Sequence, residues 1–257
     1  MVLNRPAVLV LVLCCYAGAG LVALASCIRP KGVFRWLGIA LSGAGALLQV
    51  GFVLCRTNMN GFLPFASRFE SMTLFALTVH LSGLMLYLAT KRSSVKAVTD
   101  AFSIALLGAA LFAVGFNRGG HLNPMLNSPW FAFHILTAFA GYGAMTAGLG
   151  WSLAAVWVRG QTDSPVPRRL AGSAALLLGA GILAGAFWAD VSWGAYWSWD
   201  PKETWALLTW LVLVVYLHLS GPIRKRWLDL AAFGLATGAM LFTFIGINIL
   251  KWGMHRY

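Results

Sequence analysis

The sequence predicts an all-α integral membrane protein, a single bundle of about eight spanning helices with both termini on the outer side. Three observations predict it. First, 60% of the 257 residues are hydrophobic and only 10% are charged, whereas a soluble domain carries about a quarter charged residues. Second, apolar runs recur along the whole chain, each near the ~20 residues needed to cross the hydrocarbon. Third, the basic residues fall almost wholly in the short segments between those runs. Backbone groups in lipid must bond internally, so each run is expected to be a helix.

The runs lie at about 7–27, 33–54, 69–89, 97–116, 130–157, 170–189, 203–220 and 227–250. The first holds Cys14 and Cys15 and ends at Cys27, which read as small membrane-helix residues. The second carries Gly43 and Gly45. The third opens on Arg68-Phe69-Glu70-Ser71 and has His80 near its middle, where a hydrogen-bonded structural role is expected. Arg68 and Glu70 are expected to form an ion pair that fixes the helix start. The fifth has His134 near its start, with Gly141, Gly143 and Gly148 beyond it. The sixth carries Gly181 and Gly185. These glycines permit close helix approach. The seventh holds His218 near its end, and the eighth stops shortly before His255.

Alternate loops hold Arg29, Lys31 and Arg35; Lys91, Arg92 and Lys96; Arg159, Arg168 and Arg169; Arg224, Lys225 and Arg226. These twelve bases face the seven on the other side: Arg5, Arg56, Arg68, Arg118, Lys202, Lys251 and Arg256. The twelve-base side is expected to be cytoplasmic. The net charge of +12 then reports orientation in a lipid bilayer and not a nucleic-acid partner. Leu24-Ala25-Ser26-Cys27 resembles a lipoprotein cleavage box. Cleavage there would leave seven helices and upset the charge asymmetry, so the uncleaved reading is preferred. No linker, repeat or low-complexity tract divides the chain, and 1–257 reads as one polytopic domain. No cysteine pair has C-x-x-C spacing, which argues against a thioredoxin-like dithiol and against covalent haem attachment to this chain.

The segment between the sixth and seventh helices is the most informative. It reads Trp193-Gly-Ala-Tyr-Trp-Ser-Trp-Asp-Pro-Lys-Glu-Thr-Trp. An interfacial aromatic belt accounts for one or two tryptophans per helix end, not for Trp193, Trp197 and Trp199 together with Asp-Pro-Lys-Glu. Such a loop offers a flat aromatic shelf for a planar apolar ligand. With both termini outside, it opens on the outer face, as do His134 and His255. Neutral imidazoles there could ligate iron axially.

This stretch resembles the WWD motif of the haem-handling cytochrome c biogenesis proteins, and its Asp-Pro-Lys-Glu form is similar to the CcsA (ResC) branch of System II. Arg68-Phe69-Glu70-Ser71, Leu126-Asn127-Ser128-Pro129-Trp130 with His134, and Asn248-Ile249-Leu250 with Gly253-Met254-His255-Arg256-Tyr257 resemble further elements of that branch. The likeness covers about 68–257. It implies that His134 and His255 are external axial ligands of the iron of haem b, carried as a transported ligand. It implies that His218 ligates haem inside the bundle, with a second ligand from a CcsB (ResB)-like partner. Trp193, Trp197, Trp199 and Asp200 would complete the binding surface. Arg118, Lys202, Lys251 and Arg256 are better electrostatic partners for propionates than Asp200 or Glu203. His80 departs from the family pattern and offers a second candidate internal ligand. His121, in the outer loop after the fourth helix, is expected to be solvated.

The function so implied is export and presentation of haem for covalent attachment to an apocytochrome c that brings its own C-x-x-C-H motif. No nucleophile or general base suited to the chemistry is evident in this chain. Catalytic residues are therefore not assigned, and the chain is expected to be a subunit of a cytochrome c synthase (haem lyase) complex. The expected location is a bacterial-type cytoplasmic (inner) membrane, or a thylakoid-type one. A HemX-like membrane regulator of haem biosynthesis is the alternative. A small-solute or proton transporter is disfavoured, because the middles of the expected helices contain no Asp, Glu, Lys or Arg to form a relay.

Overall fold

The computed structural model describes residues 5–29, 32–116, 123–157, 164–219 and 226–250. No strand occurs among the described residues. The chain clusters into two compact units, Met1–Pro124 and Met125–Tyr257.

The N-terminal unit contains α1 (Pro6–Ile28), α2 (Gly32–Asn60), α3 (Arg68–Thr90) and α4 (Ser93–Gly108). A π-helical segment, Ala109–Val114, continues α4. Each helix packs on the next, and α1 packs on α4, so the four close a ring. Pro6 stands at the first helical position of α1, where its missing N–H costs nothing. Ser67 caps α3 through a reciprocal capping box with Glu70. Leu9, Val12, Phe52, Phe75 and Leu107 fill the centre.

Two helices in this unit reach further than their apolar runs. α2 continues to Asn60, which carries Arg56 into the bundle. There Arg56 is fully buried and its Nε donates to Glu70 Oε1 at 2.7 Å. Phe52, Phe69 and Phe116 surround the guanidinium, with ring centroids 5.9, 5.5 and 5.7 Å away. The expected Arg68–Glu70 pair is thus replaced by Arg56–Glu70, because a buried carboxylate needs its cation on the buried side of the helix.

α4 begins at Ser93, four residues before its apolar run, and this places Lys96 inside the helix one turn before Asp100. Both are buried, and they pair with each other. Asp100 Oδ1 also lies 2.9 Å from His80 Nδ1. His80 is fully buried, its Nε2 faces the Ser42 carbonyl at 3.3 Å, and its ring stacks on Tyr16 with centroids 3.6 Å apart. The Tyr16 hydroxyl donates to Gln49 Oε1 at 2.5 Å, and Gln49 Nε2 donates to the Thr73 carbonyl at 2.8 Å. Lys96 and Asp100 lie in the first two turns of α4, so the expectation that the helix middles lack Asp, Glu, Lys and Arg is not touched by this pair. Lys96 was counted as a loop base, but a carboxylate one helical turn on allows it to be buried as a pair. Both ring nitrogens of His80 thus face acceptors, and its single neutral N–H can serve only one of them.

The C-terminal unit opens with a 3-10 turn, Pro124–Leu126, and contains α5 (Pro129–Trp157), α6 (Val166–Trp193), α7 (Pro201–Leu219) and α8 (Arg226–Leu241). A π segment, Phe242–Gly246, and a last turn, α9 (Ile247–Leu250), follow. Here too each helix packs on the next and α5 packs on α8. Trp210 Nε1 donates to the Ala175 carbonyl at 2.9 Å, tying α7 to α6. The Tyr216 hydroxyl donates to Asp229 Oδ1 at 2.6 Å, tying α7 to α8.

Seven of the described helical segments are long and apolar enough to cross a membrane. α5 is not among them although it spans 29 residues; His134, Tyr142 and its glycines dilute its apolar content. Leu47, Met85, Phe112, Leu176 and Val191 are exposed on helix surfaces. Surfaces of this kind require lipid as their solvent, and the fold is that of a multi-span membrane bundle.

Candidate functional site

α7 begins with Asp200-Pro201-Lys202-Glu203, and the structure gives each of these residue types a local reason. Asp200 is buried, and its Oδ1 accepts the Lys202 N–H at 2.9 Å. Pro201 occupies the first helical position. Glu203 reaches back, and its Oε2 accepts from the backbone N–H of Asp200 at 3.2 Å and of Ser198 at 2.9 Å. The Ser198 hydroxyl also donates to Glu203, at 3.2 Å to Oε1. This is a capping arrangement extended into the preceding loop. Both carboxylates are engaged in holding the loop.

The residue caught between those bonds is Trp199. Its φ of 57° is left-handed, a conformation that costs an L-residue roughly 1–2 kcal/mol. The N–H groups on either side of it both point at Glu203, which offsets that cost. The outcome is a Trp199 side chain that is 70% exposed. Trp197 meets it edge-on, with centroids 5.8 Å apart and planes at 90°. Trp193 is half-buried and meets Trp188 at 75°. The three tryptophans therefore form no single flat shelf; ring edges packed on ring faces are the favoured aromatic geometry. Tyr196 projects from the same loop, and its hydroxyl donates to the Asp190 carboxylate, which pushes the phenol above its usual range.

His134 lies on the second turn of α5, half-buried against α6. Its Nδ1 is 2.7 Å from the Gly181 carbonyl. Ring contacts then lead from it to the loop: His134 to Phe131 at 6.3 Å, Phe131 to Trp188 at 4.6 Å, and Trp188 to Trp193 at 5.0 Å. Trp188 Nε1 also donates to the Met125 carbonyl at 2.7 Å, fixing the chain just before α5. A second file runs from Trp130 to Phe187 at 4.9 Å and on to Tyr196 at 5.9 Å. Both files run between the start of α5, the end of α6 and the tryptophan-rich segment, and the first contains an imidazole.

The other candidates stand apart from these contacts or outside the described residues. His218 is exposed near the far end of α7, with Nδ1 2.8 Å from the Val214 carbonyl. It is seventeen positions beyond Pro201, about 25 Å along the helix. His255 and His121 lie outside the described residues, as do Arg118, Lys251 and Arg256. No group of three or more His, Cys, Asp or Glu able to hold a metal ion occurs among the described residues. One imidazole beside stacked aromatic rings suits a planar metal complex that brings its own equatorial ligands, not a bare ion. The four cysteines are free, with Cys14 and Cys27 exposed.

Sequence reasoning missed Phe131, Trp188, Gly181 and Gly185 as parts of the site. The role of Glu203 was legible: an Asp followed three residues later by Glu, before an apolar run, is a helix-start signature.

Residues 66–255 match the family described as cytochrome C assembly protein. The chain is 30% identical over 242 residues to the cytochrome c biogenesis protein CcsA of Chlamydomonas reinhardtii, covering 84% of this chain and 67% of that protein. It is 31% identical over 273 residues to CcsA of Synechococcus sp. strain CC9902, covering 89% and 87%. Among solved structures, the cytochrome c haem lyase CcmF superposes with a TM-score of 0.76 at 21% identity. That match covers 92% of this chain and 45% of CcmF, and it shows a shared fold. The chain belongs to the cytochrome c assembly protein family, on its CcsA branch.

Proposed function

We propose that this chain is the haem-handling subunit of a cytochrome c maturation system, holding haem b on the outer face of the membrane for attachment to apocytochrome c. The observation that carries this is the placement of His134. Its Nδ1 faces a carbonyl, which can only accept, so the hydrogen sits on Nδ1 and the lone pair on Nε2. That is the tautomer an axial iron ligand needs. Ring contacts run from this imidazole to Trp193, at the start of the loop that carries Tyr196 and the exposed Trp199.

In this reading His134 and His255 supply the two axial ligands, and haem is cargo. When bound, haem supplies the vinyl groups to which the thiols of an incoming C-x-x-C-H motif add. Trp193, Trp197 and Trp199 provide apolar contact, and Asp200 and Glu203 keep the loop in shape. Lys202, on the first turn of α7, supplies positive charge for a propionate. The chain positions the reactants and excludes water and contributes no covalent step of its own. His218, exposed on α7, takes the internal site, where a CcsB-like membrane partner provides the second ligand. We count α5 as the eighth span and treat 1–257 as one polytopic domain of a cytoplasmic-type or thylakoid membrane, with the loop and both termini outside.

Deleting the chain tests this against the HemX-like alternative. A maturation subunit leaves apocytochrome c to accumulate while total haem stays normal. Altered haem synthesis with normal attachment would favour the regulator.

A further inference from the structure

We propose that Gly185 is a positioning residue for the imidazole of His134, and that the α6 surface at Gly181 and Gly185 sets which nitrogen His134 presents. This rests on the reading of His134 as an iron ligand.

The geometry is specific. The Gly181 carbonyl belongs to the α6 ladder, and a carbonyl has a second lone pair beyond the one its helix uses. His134 takes that second acceptor site at 2.7 Å. In reaching it, the Nδ1–Cε1 edge of the ring comes close to α6 one turn further on, at residue 185. A Cβ at Gly185 would sit 2.7 Å from His134 Nδ1 and 3.0 Å from Cε1. The first approach is closer than a Cβ makes and the second is tight, so the ring, which turns as a unit about its two side-chain torsions, must shift. Any side chain at 185 therefore pushes the imidazole off its carbonyl. Gly181 is less critical: a Cβ there would meet Thr137 Oγ1 at 3.1 Å and the Ala138 nitrogen at 3.3 Å. Thr137 donates to the Phe133 carbonyl at 2.7 Å and does not compete for Gly181.

Loss of the bond has a chemical consequence beyond packing. An imidazole whose N–H donates to a carbonyl is a more basic ligand, and its orientation and tautomer are fixed. A ring displaced from Gly181 is free to place hydrogen on Nε2, where it cannot bind iron. The glycine pair acts as a seat for an imidazole and is more than a close helix contact.

The test compares Gly185→Ala, Gly172→Ala, His134→Ala and the double variant His134→Ala/Gly185→Ala. All are purified as full-length protein with any co-purifying partner. Gly172 lies on the same helix with nothing within 4 Å of its would-be Cβ, and controls for an added methyl. Gly185→Ala should lower bound haem about tenfold, the scale of losing a ligand's supporting bond, and should change the reduced spectrum and raise the midpoint potential of what remains. Gly172→Ala should match wild type. Should Gly185→Ala fail to accumulate, the double variant decides, because the deleted imidazole leaves room for the alanine. Free imidazole should restore haem to His134→Ala but not to the double variant, whose seat is filled. A wild-type spectrum and potential in Gly185→Ala, or equal rescue of both His134 variants, overturns the proposal while leaving His134 as ligand. A wild-type spectrum in unrescued His134→Ala removes the ligand itself, and the proposal with it.

Discussion

Glu203 shows how much one side chain decides. It accepts the backbone N–H groups on both sides of Trp199 and so holds that residue in its left-handed conformation. Glu203→Ala should cost about 1–2 kcal/mol, the scale of a lost helix cap, and should lower haem retention. Glu203→Gln, which keeps an acceptor oxygen, should be milder. Thermal unfolding of the two purified variants checks this, and identical behaviour would detach the loop from its cap. In the N-terminal unit the corresponding residue is Asp100. Asp100→Ala strands the buried Lys96 amine and should cost about 3–5 kcal/mol, as breaking a buried ion pair does. Adding Lys96→Met should recover much of that loss; no recovery would mean that Asp100 acts chiefly through His80. The tryptophans and histidines were legible because their types are rare and chemically pointed. Asp100 was not, because a charge near the end of an apolar run looks like interface until its partner one turn away is known to be buried.

At the scale of elements, the apolar runs located the eight long helices among the described residues, seven of them long and apolar enough to cross a membrane. They misjudged ends wherever a buried polar group extends a helix, as Arg56 does in α2 and Lys96 in α4. Which helices touch was not legible, since packing depends on shape and every face is apolar. The α5–α6 contact, where the imidazole lies over Gly185, is the consequence that matters most. Trp188 anchors the entry to α5 through the Met125 carbonyl. Trp188→Phe keeps the ring contacts and removes that bond. It should cost about 1 kcal/mol and increase proteolysis near residue 125. Unchanged protection there would mean that the aromatic contacts alone hold the segment.

For the whole molecule, the proposed orientation rests on the distribution of charge. Burial of Lys96 and Arg56 removes one base from each side of the charge count, leaving eleven against six, so the inward bias of the first group stands. Reporters fused after Arg92 and after Tyr257 should read cytoplasmic and external respectively. The same location for both would place the tryptophan-rich loop on the wrong face. In the proposed internal site His218 supplies one ligand, and six-coordinate iron needs two, so haem bound there should depend on a co-purifying membrane partner. The central claim is that His134 is an axial ligand in the external site, and the reduced absorption spectrum and haem-to-protein ratio of purified His134→Ala test it most directly. The account predicts loss of the bis-histidine spectrum and of most bound haem, with partial return on adding imidazole. A wild-type spectrum and ratio without imidazole would contradict it and leave the loop as an aromatic belt at the membrane surface.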